Sequence, residues 1–273
     1  MLPIILNILA LAALLPAAMV SFRAHASRDG RFWAATLLAV LGPALWSGWV
    51  MGETWLTSLS AGLWVSVAGS AAMFALLSVT TPQAWRLGPL LMPFLVWVGV
   101  FASGISWVET APAPVAGSGG LGSAWVDLHI VLAVLTYSLL TLAAVASASI
   151  FLQERALKHK KPNVLTRLLP SVADAERMAG RLLLDSEVVL GLGLITGMVL
   201  TYVETGSLAS FGNKALLSML AFGLIGMLLV GHRICGVRGR RAARVVLTAY
   251  LLLTLAYPGV KFVQQVLVAA PLG

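Results

Sequence analysis

Few side chains in this sequence can hold a metal ion or relay a proton, and the four histidines stand out among them. His25 and His159 sit among basic residues, and His232 precedes Arg233, so these three read as solvated or end-capping groups. His129 is different. It lies about one turn inside a long apolar run, in Trp125-Val126-Asp127-Leu128-His129-Ile130. An ionisable group at that depth in a bilayer is costly and marks a functional site by default, and neutral imidazole is a common metal ligand. The ordinary alternative is an imidazole hydrogen-bonded to a neighbouring helix. Asp127 is two residues away and so points to another helix face. Tyr137, eight residues on, shares the face of His129 and would either line a pocket with it or pack in lipid. Asp185 and Glu187 read as close to the start of a later helix, where carboxylates suit the dipole. The single cysteine, Cys235, excludes an internal disulfide and a CxxC pair. No HExxH, P-loop, Ser/His/Asp order or helix-opening GxGxxG occurs. The chemistry is that of binding, and the chain does not read as an enzyme.

The elements that must position these residues are membrane helices. Of the 273 residues 59% are hydrophobic and 10% charged, with mean hydropathy +0.94, whereas soluble domains carry about 25% charged residues. A span needs roughly 20 apolar residues. Apolar runs at 2–22, 32–51, 60–80, 89–108, 125–152, 182–203, 214–232 and 243–268 predict an all-α, polytopic transmembrane bundle of about eight spans. The chain reads as one integral membrane domain, with four N-terminal helices over 1–108 and a second group over 125–268.

The net charge of +8 could suggest nucleic acid, but the charges are ordered as a topology. Sixteen of the eighteen Lys and Arg fall on alternate loops, leaving only Lys214 and Lys261 for the opposite face. The positive-inside rule makes the basic face cytoplasmic and puts both termini outside. Ala24-His25-Ala26 resembles a cleavage site, but no basic residue precedes the first apolar run, which is also too long for a signal peptide.

No internal repeat is evident. Gly69-Ser70-Ala71-Ala72 and Gly191-Leu192-Gly193 offer small residues for close helix packing, and Pro43, Pro89 and Pro93 would kink or start helices. Trp46, Trp49, Trp55, Trp64, Trp97, Trp107 and Trp125 fall toward the outer half. They read as an interfacial aromatic belt, the sharper alternative being a floor for a flat apolar ligand. Residues 109–124 form a Pro/Gly-rich outer loop. The segment 153–181 is basic, and its run Ala173–Met178 is expected to be helical with its apolar side on the membrane surface.

Three stretches carry a family resemblance. The first is Leu128-His129-Ile130-Val131-Leu132-Ala133-Val134-Leu135-Thr136-Tyr137, continuing to Phe151-Leu152-Gln153-Glu154-Arg155. The second is Leu169-Pro170-Ser171 with Glu176-Arg177, leading into Gly191–Gly197. The third is Gly236-Val237-Arg238-Gly239-Arg240-Arg241, then Tyr257-Pro258-Gly259-Val260-Lys261. Together they resemble the cytochrome c assembly protein family of CcsA/CcmC/HemX type, and most closely its eight-span HemX/YpjD-like inner-membrane branch. The resemblance implies a bacterial inner-membrane protein that handles haem, with lipid and other cytochrome-assembly proteins as partners, and His129 as the axial iron ligand. Tyr137 and Trp125 would line the haem site. In the haem-delivering members a tryptophan-rich outer segment lies between two outer histidines. Here the corresponding loop, Thr205 to Lys214, has no Trp, and Gln264-Gln265 stand where the second histidine would fall. Single-histidine binding and a scaffold with altered function both stay open. A transporter and a non-catalytic scaffold acting through 153–181 are the rival readings.

Haem brings two propionates, and the outer face has two cations. If haem binds at His129, Lys214 and Lys261 are expected to pair with the propionates, because an unpartnered buried carboxylate is costly; plain snorkelling is the alternative. Replacing both by Gln should weaken haemin binding in an absorbance titration, and an unchanged affinity would remove the pairing.

Overall fold

The computed structural model describes residues 2–23, 27–53, 58–108, 121–205, 213–236 and 239–263. His25, Trp55, most of the 109–124 loop, the core of the Thr205–Lys214 loop and Gln264-Gln265 lie outside the described residues. The helices are α1 (Leu2–Ser21), α2 (Gly30–Glu53), α3 (Leu59–Thr80), α4 (Gly88–Ile105, after a 3-10 turn at Ala84–Leu87), α5 (Leu121–His159), α6 (Val164–Leu168), α7 (Val172–Thr205), α8 (Asn213–Ile234) and α9 (Gly239–Thr254). A π-helical turn, Leu255–Gly259, and the short α10, Val260–Phe262, continue α9. Among the described residues there is no strand, as the apolar runs predict.

Local chemistry sets the helix ends. The Asp29 carboxylate accepts the Phe32 N–H at 2.9 Å and starts α2. The Ser58 hydroxyl accepts the Ala61 N–H at 3.1 Å and starts α3, while Pro82 follows its end. Asn163 and Thr166 form a capping box on α6, and Ser171 accepts the Asp174 N–H at 3.2 Å to open α7. Each supplies an acceptor to an N–H that the helix leaves unpaired. Gly239 opens α9 at φ +62°, a conformation that L side chains rarely adopt. Its N–H donates to Glu176 Oε1 at 2.8 Å, so a carboxylate sits at the positive end of α9.

Helix contacts divide the bundle into two rings of four. In the first, α1 packs on α2, α2 on α3, α3 on α4, and α4 back on α1. In the second, α5, α7, α8 and α9 close in the same way, with α5 against α7 the most extensive contact in the molecule. The rings meet chiefly where α3 packs on α5. That junction depends on Gly69, where an added Cβ would lie 2.6 Å from Ser138 Oγ and 2.9 Å from Val134 Cγ1. Gly191 performs a milder version of the same service for Phe222, 3.2 Å from its notional Cβ.

Among the described residues six helices are long and apolar enough to cross a membrane: those over Gly30–Trp49, Leu59–Thr80, Ala84–Ile105, Ala124–His159, Val172–Val203 and Ala215–Ile234. The eight apolar runs each coincide with a helix. The two outside the six are α1, whose described apolar part is Ile5–Ser21, and α9, which opens on Arg240-Arg241 and passes into the π turn. At about 1.5 Å per residue, the 39 residues of α5 and 34 of α7 far exceed a hydrocarbon core of about 30 Å. Both therefore project beyond it at the basic end. There Arg28 donates to the Ser78 carbonyl at 2.9 Å, and Arg86 donates to the carbonyls of Leu168 and Arg167 at 3.0 and 2.9 Å. Gln153 holds the Thr166 and Pro170 carbonyls at 2.8 and 3.1 Å. The basic loops are thus bonded to one another at one end of the molecule.

The structure corrects three local expectations. Residues 173–178 are helical, but they are the first turns of α7, and Ala175, Met178 and Ala179 are buried against the protein rather than laid on a membrane surface. Asp185 and Glu187 lie well inside α7; the carboxylate of its first turn is Asp174. Of the tryptophans, Trp97, Trp107 and Trp125 are exposed as a belt requires, but Trp46 and Trp64 are buried and pack on each other with ring centroids 5.4 Å apart.

The junction at Gly69 yields a stability test. Alanine favours a helix over glycine by about 1 kcal/mol, but overpacking costs about 1–3 kcal/mol, and the branched Val134 has little rotamer freedom to yield. Gly69→Ala should lower the thermal midpoint in detergent. Gly223→Ala, on α8 where a Cβ meets nothing within 4 Å, should leave it unchanged or raise it. Equal shifts in the two variants would contradict the close α3–α5 contact.

Candidate ligand cavity

A cavity of about 480 Å³ occupies the charge-poor end of the second ring, within the 300–1,000 Å³ range typical of small-molecule sites. Every helix of that ring contributes to its wall, together with the start of α3. Its lining is mostly apolar, and its polar groups are few: His129, Tyr137, Lys261, Thr201 and some small hydroxyls.

His129 is half-buried on α5. Its Nδ1 lies 3.0 Å from Thr196 Oγ1 on α7. The Thr196 hydroxyl donates its one proton to the Gly193 carbonyl at 3.0 Å, so toward the imidazole it is an acceptor. With Thr196 as acceptor, the tautomer that completes this bond carries its proton on Nδ1 and leaves Nε2 its lone pair. The bond to a neighbouring helix foreseen as the ordinary role of this histidine is therefore present, and it leaves one ring nitrogen for coordination. Gly197 makes room for the ring: a Cβ there would lie 3.1 Å from Cε1. Among the described residues, no three of His, Cys, Asp and Glu gather into a metal site.

Tyr137 lines the same cavity two turns further on. It belongs to a hydroxyl cluster that composition did not reveal. Tyr250 Oη donates to Tyr137 Oη at 3.2 Å, and Thr141 Oγ1, which donates to the Tyr137 carbonyl at 2.7 Å, lies 3.3 Å from Tyr250 Oη. Thr254 lies 3.3 Å from Tyr137 Oη. The two tyrosine rings pack at a tilt of 41° with centroids 5.5 Å apart. In an apolar bundle such hydroxyls gain by satisfying one another.

Lys261 also lines the cavity, half-buried just past the π turn. That turn contains Pro258, which removes a backbone donor, and widens the helix where Ala256 and Lys261 face the cavity. Lys214 is in the first turn of α8, with its side chain outside the described residues. Trp125 is exposed on α5 and is not part of the cavity wall. The structure thus unites His129, Tyr137 and Lys261 and leaves Trp125 apart. The residues missed by sequence reasoning are Thr196 and Tyr250. Thr196 stands one residue before Gly197, inside the Gly191–Gly197 stretch that carries part of the family resemblance, where nothing local marks it as a partner of His129.

A helical membrane bundle with an imidazole in the wall of a largely apolar cavity is the class these features define. The chain belongs to the cytochrome c assembly protein family, whose model, Cytochrome C assembly protein, matches residues 30–268. It is 52% identical over 269 residues to a 28.8 kDa Azospirillum brasilense protein named only as uncharacterised and from a nifR3-like 5′ region, a match covering 97% of this chain and 98% of that protein. It is 32% identical over 142 residues to the inner membrane protein YpjD of Escherichia coli K12, covering 51% of this chain and 52% of YpjD. No solved structure matches the chain.

The Thr196 contact can be tested by itself. Thr196→Val keeps the shape and removes the acceptor, at a cost of about 1 kcal/mol. In ¹⁵N NMR of histidine-labelled protein, wild-type His129 should show the Nδ1–H tautomer, and the variant a mixture. An Nε2–H tautomer in the wild type would show that the coordinating nitrogen has been misassigned.

Proposed function

We propose that this protein binds and escorts haem near the outer face of the bacterial inner membrane, with His129 as axial ligand, and performs no catalysis of its own. One observation carries the reading: an imidazole with Nδ1 bound and Nε2 available lines a largely apolar cavity. A single protein donor suits iron that arrives already held by other ligands, which is how porphyrin presents it; a free ion would need several protein donors. The residues present fit that cargo. The apolar wall accepts the macrocycle, the Tyr137–Tyr250 pair offers hydroxyls, and Lys261 supplies a cation for a propionate. Haem supplies the iron; the chain's part is to hold one axial position, exclude water and neutralise the carboxylates. Family membership supports the same assignment.

We further propose that all eight helices cross the membrane, with the basic loops cytoplasmic and both termini outside. Each of α1 and α9 closes a ring of four, and removing either from the bilayer would open its ring. The opening of the cavity then lies outside, where cytochrome c is assembled, and other assembly proteins are the partners that would receive the cargo there.

The test is a haemin titration of the detergent-purified protein. Wild type should give a Soret band saturating at one equivalent, and His129→Ala should bind at least tenfold more weakly. Added imidazole should restore the band in His129→Ala, since the cavity survives the truncation. Tight one-to-one binding in His129→Ala without imidazole would refute the axial assignment, and no saturable binding in the wild type would refute the haem reading.

A further inference from the structure

The second ring holds another cavity, at its basic end. It measures about 460 Å³ and is lined by α5, α7, α8 and α9. Between Tyr137, on the wall of the first cavity, and Ser147, on the wall of the second, α5 runs ten residues, about 15 Å of helix. The two cavities are therefore separate sites in one ring of helices.

Their chemistries differ. The second cavity is divided into an apolar wall, with Leu183, Leu228 and Val246, and a cationic rim formed by Arg177, Arg181 and Arg233. One acid lines it, Glu176, and its Oε1 is engaged by the Gly239 N–H at the start of α9. Asp174 takes one edge of Arg177 at 2.6 Å. Among the described residues Arg181 and Arg233 make no ion pair, and both side chains are exposed. The rim thus keeps an uncompensated positive charge. Two apolar residues of the wall, Leu184 and Val230, are 43% and 56% exposed, so the cavity opens sideways toward lipid between α7 and α8.

A wall that is apolar within, open to acyl chains and ringed by arginines at the level of the basic loops is complementary to an anionic amphiphile. Arginine forks match phosphate geometry, and basic pockets between transmembrane helices hold anionic headgroups. We propose that this cavity is a binding site for an anionic phospholipid, its phosphate on Arg181 and Arg233 with Arg177 beside them, and one acyl chain between α7 and α8. The bound lipid would add a bridge between the basic ends of α7, α8 and α9 to the Glu176–Gly239 bond already there. The site is independent of the haem reading and stands whether or not that reading holds.

Delipidated protein in detergent is titrated with phosphatidylglycerol, phosphatidylcholine or inorganic phosphate, and binding is read by native mass spectrometry alongside the thermal midpoint. Wild type should retain phosphatidylglycerol in preference to phosphatidylcholine and be stabilised by it, with no effect of inorganic phosphate. Arg181→Gln/Arg233→Gln should weaken phosphatidylglycerol roughly thirtyfold, at the attraction typical of surface arginines. Gly180→Leu keeps every charge and fills the cavity; Gly180 lines it, and a Cβ there meets nothing within 4 Å, so the first atom of the new side chain has room. It too should lose the lipid. Equal retention of the two lipids, stabilisation by inorganic phosphate matching that by phosphatidylglycerol, or wild-type binding in Gly180→Leu would each overturn the proposal, the last by placing the headgroup on the surface outside the cavity.

Discussion

The hydrogen bond between His129 and Thr196 is the contact on which the candidate site depends. An imidazole in an apolar bundle must have its N–H satisfied by protein, since lipid offers no partner. Thr196 meets that need from α7 while passing its own proton to Gly193. The same bond sets the ring orientation and, with the proton on Nδ1, leaves Nε2 as a lone-pair donor. It can form because Gly197, one residue on, lets the ring approach the α7 backbone. A helix bearing a larger residue there would push the imidazole away from its partner.

The wider architecture follows from the same scarcity of water. Several hydroxyls in α5 return to their own helix, as Ser138 does to the Val134 carbonyl at 2.7 Å and Ser149 to Ala146 at 2.7 Å. Small residues bring helices close where side chains would separate them, and Gly69 joins the two rings. Arginine is kept to the basic end, where Arg28 and Arg86 donate to carbonyls of neighbouring segments. The second ring is consequently polarised: an imidazole and a tyrosine pair at one end, arginines at the other, with α5 and α7 running through both.

Much of this was legible in the sequence, for identifiable reasons. Long apolar runs set the helices, because a bilayer demands about 20 such residues. His129 was conspicuous as an ionisable residue in an apolar setting, and the eight-residue spacing to Tyr137 put both on one face, as the shared cavity shows. Other features depend on pairings between distant helices that no local pattern encodes. Thr196 is an ordinary threonine until α7 meets α5, and Tyr250 joins Tyr137 across 113 positions. Trp46 and Trp64 resemble their interfacial counterparts in every local respect, and only the closure of the first ring buries them. The run at 173–178 has an amphipathic pattern that suits either a membrane surface or a protein groove; the projecting end of α5 decides it.

Haem bound as proposed would meet the chain at one nitrogen, His129 Nε2. Electron–nuclear double resonance on ferric haem-loaded protein with ¹⁵N-labelled histidine tests this directly, because the chain has only four histidines to distinguish. The expected spectrum shows a strong coupling from one protein nitrogen, absent when His129 is replaced and unaffected when His25, His159 and His232 are replaced together. A coupling that survives the loss of His129, or no histidine coupling in the wild type, would contradict it.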